Sequence, residues 1–264
     1  MTASEQGVAD KMVFRRTNEH SGRHIFITPG NSSMRHLAYG RIILDSAKPA
    51  ESFSTGDRET GLICLSGRAV ILVDQIEIAI GQYDAIYVPR DCTVMIKTDA
   101  SVDIAEVSSD VANRYPLQVV RAAEISNDPK LVYATGGPGC TRHICMSLGK
   151  NIEAGRLLAG ITQADPGSWT SWPPHEHAAM LEEIYIYFEM PAPAYGIQLI
   201  YSDNQEPELV TLVRDGDAVL IPKGYHPNVS VPGHRICFLW AMAAHREVVD
   251  RQYGVVNVEP GFKA

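Results

Sequence analysis

Long apolar runs are missing from this sequence. No stretch of 18 apolar residues occurs, and residues 1–12 are polar with no apolar segment. Neither a membrane-spanning helix nor a secretory signal is therefore expected, and the protein is placed in the cytoplasm, away from membranes. A basic excess is missing too. Lys and Arg total 23 against 31 Asp and Glu, a formal net charge of -8. That balance argues against broad nucleic-acid binding, yet one local cation can still hold an anionic small substrate. Cysteine is sparse: five residues, an odd number with no Cys-x-x-Cys, expected as reduced thiols. Cys140 and Cys145 flank His143, but without a second ligand pair they make only a weak metal signal. Residues 1–12 are expected to be loosely ordered.

Helical periodicity is scarce as well. The apolar runs are short, rich in Val, Ile and Tyr, and broken by Gly, Pro, Asp or Asn, the pattern of an all-β sandwich or barrel. Strands are expected at residues 37–44, 62–65, 69–73, 85–88 and 93–97. A second set is expected at 143–148, 157–162, 183–188, 195–201, 208–213, 218–221, 228–231 and 236–241. Helices are few and short, with one turn or two at 122–127.

One unit occurs twice. Tyr83-Asp84-Ala85-Ile86-Tyr87-Val88-Pro89-Arg90 resembles Gly216-Asp217-Ala218-Val219-Leu220-Ile221-Pro222-Lys223. In each, an Asp in a turn precedes a short apolar strand that ends in Pro, which cannot donate to the ladder, and a basic residue. Residues 59–67 correspond to 182–190 at an offset of 123. Two tandem β units follow, residues 1–118 and 119–264. The glycine cluster at 136–139 lacks the lysine and the strand-to-helix setting of a phosphate loop and is read as a turn.

The chemistry concentrates in the second unit. His175-Glu176-His177 puts two imidazoles on one face of a strand, because residues i and i+2 point the same way. A carboxylate follows at Glu182 or Glu183, and His226 lies on a third strand. Three neutral nitrogens and one carboxylate suit one divalent metal ion, and a rigid barrel leaves positions open for substrate. Zn and Mn are the first candidates, followed by Fe, Ni and Co. In the first unit Ser52, Ser54, Thr60 and Thr93 occupy the matching positions, so that half is expected to be metal-free and to serve packing and oligomer contacts.

These motifs resemble the cupin superfamily: His-x-His and a downstream Glu, then a His after a Pro-x-Gly strand end, here Pro222-Lys223-Gly224-Tyr225-His226. Spacing points to Glu182 as the carboxylate ligand. Strand register points to Glu183, which is favoured because it shares the more polar face with Tyr185 and Tyr187. The words Trp169-Thr170-Ser171-Trp172-Pro173-Pro174, Leu181-Glu182-Glu183-Ile184-Tyr185-Ile186-Tyr187 and Asp215-Gly216-Asp217-Ala218-Val219-Leu220-Ile221-Pro222 resemble the 5-deoxy-glucuronate isomerase family of inositol catabolism. A sister family isomerises 5-dehydro-4-deoxy-glucuronate. The tail, residues 247–264, matches nothing in that pattern.

The resemblance implies two tandem cupin-like jelly-roll β-barrels, with the metal site in the second. It implies a metal-dependent interconversion of the aldose and ketose forms of a deoxy-hexuronate, 5-deoxy-glucuronate to 5-dehydro-2-deoxy-gluconate, through a chelated enediolate. The metal ligands are then His175, His177, Glu183 and His226. Glu182, Lys223, Tyr185 and Tyr187 are the candidates for proton transfer. Arg142 and Arg246, with Lys223, are candidates for binding a substrate carboxylate, and Trp172 and Tyr225 for lining the pocket. Isomerisation of another uronate or modified sugar, or a cupin oxygenase using the same ligands, is the alternative. The partner is a small sugar acid, and edge strands that need cover predict a homo-oligomer.

Overall fold

The computed structural model describes residues 11–262, and it is built almost wholly of strands. The α-helix is a single turn at Ala122–Ile125, with a 3-10 turn at Pro260–Phe262. The expected strands at Leu37–Leu44, Ala85–Val88, Thr93–Lys97 and Ala218–Ile221 form with those bounds. Residues 62–65 and 69–73, expected as two strands, belong to one long strand, Arg58–Val73. It bends at a register shift between Cys64 and Ser66 and at Gly67, whose φ of 78° is glycine territory. Among the described residues no helix is long and apolar enough to cross a membrane. All five cysteines are free thiols.

The first unit is one nine-stranded system wrapped around Arg58–Val73. Its interior is filled by Ile42, Leu44, Leu62, Ile71, Val73, Ile86, Val94, Ile96 and Ile104. Aliphatic side chains thus fill the barrel whose ligand positions carry Ser and Thr. The second unit pairs a seven-stranded sheet with a four-stranded one. The larger sheet is ordered Val13–Phe14, Ala218–Ile221, Leu181–Tyr187, Cys237–Ala244, Leu157–Ala164, Arg142–Leu148, Val132–Thr135. The smaller is ordered Trp169–Thr170, Asn228–Ser230, Gly196–Ile200, Leu209–Val213.

The units exchange strands at their borders. Val13–Phe14 pairs with Ala218–Ile221 of the second unit, and Gln118–Val120 pairs with Ala85–Val88 of the first. The expected boundary at 118/119 therefore cuts through a strand of the first barrel. Of residues 1–12, expected to be loose, 1–10 lie outside the described residues. Met12 is held: its carbonyl accepts the Leu220 N–H at 2.8 Å.

Strand Leu181–Tyr187 is buried along its whole length and divides its side chains between two cores. Ile184 and Ile186 enter the core between the units, with Leu37, Tyr39, Ile63, Leu157 and Leu239. Leu181, Tyr185 and Tyr187 enter the second barrel's interior, with Phe238 and Trp240. Period-two alternation then places Glu182 with the first set and Glu183 with the second.

Glu182 is accordingly not a proton-transfer group. It faces the first unit, 1% exposed, and its carboxylate accepts the N–H groups of Arg35, His36 and Leu37, each at 2.7 Å. Glu59, 123 positions earlier and 0% exposed, does the converse. It accepts the N–H groups of Gly155, Arg156 and Leu157 of the second unit at 2.6–2.8 Å, and the Tyr87 hydroxyl at 2.6 Å. Each unit thus clasps the start of a strand of the other with a buried carboxylate in a nest of successive amides. Glu182→Ala strands three backbone donors, the one at Leu37 fully buried, and is expected to cost about 3 kcal/mol, roughly 6–12 °C in Tm, with metal content unchanged. Calorimetry with elemental analysis checks this; an unchanged Tm would refute the clasp.

Candidate metal centre

The site is assembled by three short segments of the second barrel. His175–Glu176 is a two-residue strand, entered through the stiff Trp172-Pro173-Pro174 sequence. Glu183 lies on Leu181–Tyr187, whose register puts it opposite Ile221 on one side and Met242 on the other. His226 follows the turn at Gly224, whose φ of 94° keeps an L side chain out of a space already tight against Tyr201.

His177, Glu183 and His226 offer ligand atoms that all lie within 4.8 Å of one another. Nε2 of His177 and Nε2 of His226 each stand 3.2 Å from Glu183 Oε2. The His175 ring centroid is 5.0 Å from that of His226 and 6.4 Å from that of His177. The exposures of His177, Glu183 and His226 are 5%, 1% and 0%, so this cluster is buried.

Hydrogen bonding fixes the tautomers. Nδ1 of His175 lies 2.9 Å from Pro173 O, Nδ1 of His226 lies 2.9 Å from Gly224 O, and Nδ1 of His177 lies 3.2 Å from Leu181 O. Each Nδ1–H donates to a backbone carbonyl, which leaves Nε2 of the neutral His175 and His226 rings free to offer a lone pair, while Nε2 of His177 faces Glu183 Oε2 at 3.2 Å. His226 Nε2 is fully buried and has no hydrogen-bond partner. Burial pushes the His175 imidazole down to about 4, and burial together with the neighbouring imidazoles pushes His226 well below its ordinary range. Both rings are held neutral, as metal ligands must be. Complete burial raises Glu183, with the His177 hydrogen bond opposing; on His177, burial pulls down but Glu183 prevails and the ring is raised. A buried carboxylate paired, among the described residues, with imidazoles and with no Arg or Lys is the charge arrangement that a cation completes. The donor set fits a divalent metal ion.

A cavity of about 300 Å³ opens onto His175, His177 and Glu183. Its walls carry Tyr185 from the strand of Glu183, Trp172 and Ser171 from the loop before His175, and Phe238, Trp240 and Met242 from strand Cys237–Ala244. Thr135 and Arg142, paired across two neighbouring strands, complete one side with Tyr133 and Thr162. Arg142 is the sole Arg or Lys in the lining, and the one hydrogen bond it makes among the described residues goes to Cys140 O at 3.2 Å. Its guanidinium has no carboxylate partner among the described residues and is close enough to His175 to lower that ring's basicity.

Several expected site residues stand elsewhere. Lys223 is exposed on the strand-end turn and does not line the cavity. Tyr225 packs its ring beside Tyr201, centroids 5.6 Å apart, and also lies outside the lining. Tyr187 shares the strand face of Glu183 but sits one step deeper, 0% exposed, with its hydroxyl bonded to Gln198 and Asn228. Arg246 points to solvent and pairs with Asp250 at 2.6 Å. Conversely, Tyr253, Gly254, Val255, Val256 and Val258 of the tail line the cavity, and nothing in their residue types announced it.

Residues 12–256 match the KduI/IolB family. The chain is 25% identical over 239 residues to the 5-deoxy-glucuronate isomerase of Geobacillus kaustophilus (strain HTA426), covering 84% of each protein. It is 26% identical over 243 residues to the 4-deoxy-L-threo-5-hexosulose-uronate ketol-isomerase of Pectobacterium carotovorum subsp. carotovorum, covering 84% of this chain and 85% of that one. Among solved structures, an IolB-like protein of Salmonella typhimurium LT2 superposes with a TM-score of 0.85 at 21% identity, over 96% of this chain and 98% of that one. A mutant of Bacillus subtilis oxalate decarboxylase OxdC gives 0.63 at 13% identity, over 89% of this chain and 78% of that one, a likeness of cupin fold alone. The family match spans both barrels, the aliphatic-filled first and the histidine-bearing second, and on that match the chain belongs to the KduI/IolB family.

Proposed function

We propose that this protein is a metal-dependent aldose–ketose isomerase of a deoxy-hexuronate, converting 5-deoxy-glucuronate to 5-dehydro-2-deoxy-gluconate. One observation carries the reading: a single cavity of about 300 Å³ is lined both by His175, His177 and Glu183, at the edge of the buried His and Glu cluster, and by the Arg142 guanidinium, which has no carboxylate partner among the described residues. That volume is at the small end of ligand pockets, which suits a monosaccharide acid. The isomerases named among the relatives support it further, one for 5-deoxy-glucuronate and one for a hexosulose-uronate.

A divalent ion held by His175, His177, Glu183 and His226, Zn or Mn in the first instance, supplies Lewis-acid stabilisation of the negative charge that develops when a proton leaves the carbon beside a carbonyl. The protein's own groups do the rest. Arg142 binds the substrate carboxylate, bidentate and charge-assisted, and so sets which end of the sugar faces the ligands. Tyr185 holds its hydroxyl 2.5 Å from Ser171 Oγ, and burial keeps the phenol protonated far beyond neutral pH. It donates a hydrogen bond to the substrate oxygen that gains negative charge, and Ser171 holds that phenol in place. Trp172, Phe238 and Trp240 give the sugar an apolar wall that excludes water.

Metal-loaded protein incubated with 5-deoxy-glucuronate is expected to form the ketose, followed by proton NMR, with no nicotinamide or flavin added. Consumption of oxygen in place of isomerisation would overturn the reading in favour of an oxygenase.

A further inference from the structure

The tail has a base and a free-running end. Arg251 is rooted in the barrel, donating to Leu157 O at 2.7 Å and Gly149 O at 2.6 Å, and Asp250 is 2% exposed. Tyr253 then stacks on Trp240, centroids 5.0 Å apart and planes 19° from parallel. At Gly254, φ 82°, the chain turns and runs along the cavity.

Asn257–Val258 forms a strand with His175–Glu176, Val258 opposite His175, and these two short segments make up the entire sheet. The Glu259 N–H extends the pairing to Pro174 O at 2.9 Å. Side chains fasten it. Asn257 Nδ2 donates to Glu176 Oε1 at 2.5 Å, and Glu176 Oε2 takes the N–H of Ala178, so one carboxylate ties the tail to the loop after His177. Glu259 accepts the Tyr201 hydroxyl at 2.7 Å and Asn204 Nδ2 at 3.1 Å. Phe262 meets the Trp172 ring edge-on, centroids 5.0 Å apart.

His175 differs from the other ligands in what holds it. His177, Glu183 and His226 converge inside the barrel, whereas His175 is only half-buried and the one strand beside it belongs to the tail. We infer that Asn257, Val258 and Glu259 are positioning residues that set His175 against the metal centre, with Glu259 as the latch. The inference rests on the metal reading above. A ladder of two residue pairs is among the least stable parts of a fold and opens locally. Val255, Val256 and Val258 travel with it, so release of the latch loosens one metal ligand and unroofs the cavity together. Metal grip and substrate closure are thereby coupled through one segment.

The test uses the full chain and Co(II) alone as the probe, with affinity from chelator competition and geometry from the ligand-field spectrum. The Asn257→Ala/Glu259→Ala variant is expected to bind Co(II) about 10–100-fold more weakly, the range for lost outer partners of a metal ligand. Its spectrum is expected to move toward that of His175→Ala, while the Tm of the metal-free protein stays unchanged. Wild-type affinity and spectrum in that variant would overturn the inference. His226→Ala, run in parallel, separates the two ideas: if it too retains Co(II), the metal reading itself fails; if it alone loses Co(II), only the tail inference fails. Should the double variant not fold, Glu259→Gln gives the same readout: an intermediate shift supports the latch, and no shift refutes it.

Discussion

His226→Ala is expected to lose the metal ion and to slow turnover by roughly 10³-fold or more, the scale of removing a principal electrostatic stabiliser. The reason is local. His226 is 0% exposed, its Nδ1 is committed to Gly224 O, and its Nε2 has no protein partner to satisfy it. Alanine leaves Glu183 buried with one imidazole fewer, and among the described residues no Arg or Lys pairs with it. Elemental analysis and a rate assay report the two losses separately. Retention of full metal content would remove His226 from the ligand set.

Arg142→Ala is expected to lower kcat/KM for a uronate by about 10²-fold, the equivalent of about 3 kcal/mol for a charge-assisted bidentate contact. Metal content should be unaffected. Turnover of an aldose lacking the carboxylate should change little, so the variant loses preference as well as rate. Arg142→Lys restores the charge but not the planar fork and is expected to fall between. Equal losses on charged and uncharged sugars would show that the guanidinium supports the pocket wall and does not read the carboxylate.

The fold and the buried His and Glu cluster were legible because they rest on local rules. Short Val- and Ile-rich runs between turn residues gave strands such as Leu37–Leu44 and Ala218–Ile221 with the right bounds. Period-two alternation on Leu181–Tyr187 chose Glu183 over Glu182, since the two faces of that strand enter different cores. The offset of 123 between the halves was equally readable, although its meaning was not. Glu59 and Glu182 match because each holds amides of the opposite unit, and a contact between residues 145 positions apart leaves no local signature.

What escaped follows from tertiary placement. Val102–Asp110 reads as polar because Glu106, Ser108 and Ser109 interrupt it, yet it is a buried central strand, and the cost of Glu106 is met by Arg23 at 2.7 Å. Lys223, Tyr225 and Arg246 are near the motifs in sequence but turn away from the cavity, whereas Arg142 reaches it from a strand distant from the motif. Gln252 to Val258 carries the composition of an ordinary surface segment. Only the pairing with His175–Glu176 makes it part of the site.

The most direct test of the account follows 5-deoxy-glucuronate by proton NMR with three samples: protein stripped of metal, the same protein reloaded with Zn or Mn, and reloaded His226→Ala. The account predicts conversion to the ketose by the reloaded wild-type protein alone, in proportion to bound metal. Conversion at the same rate by the stripped protein would contradict it, as would its absence from the fully loaded one.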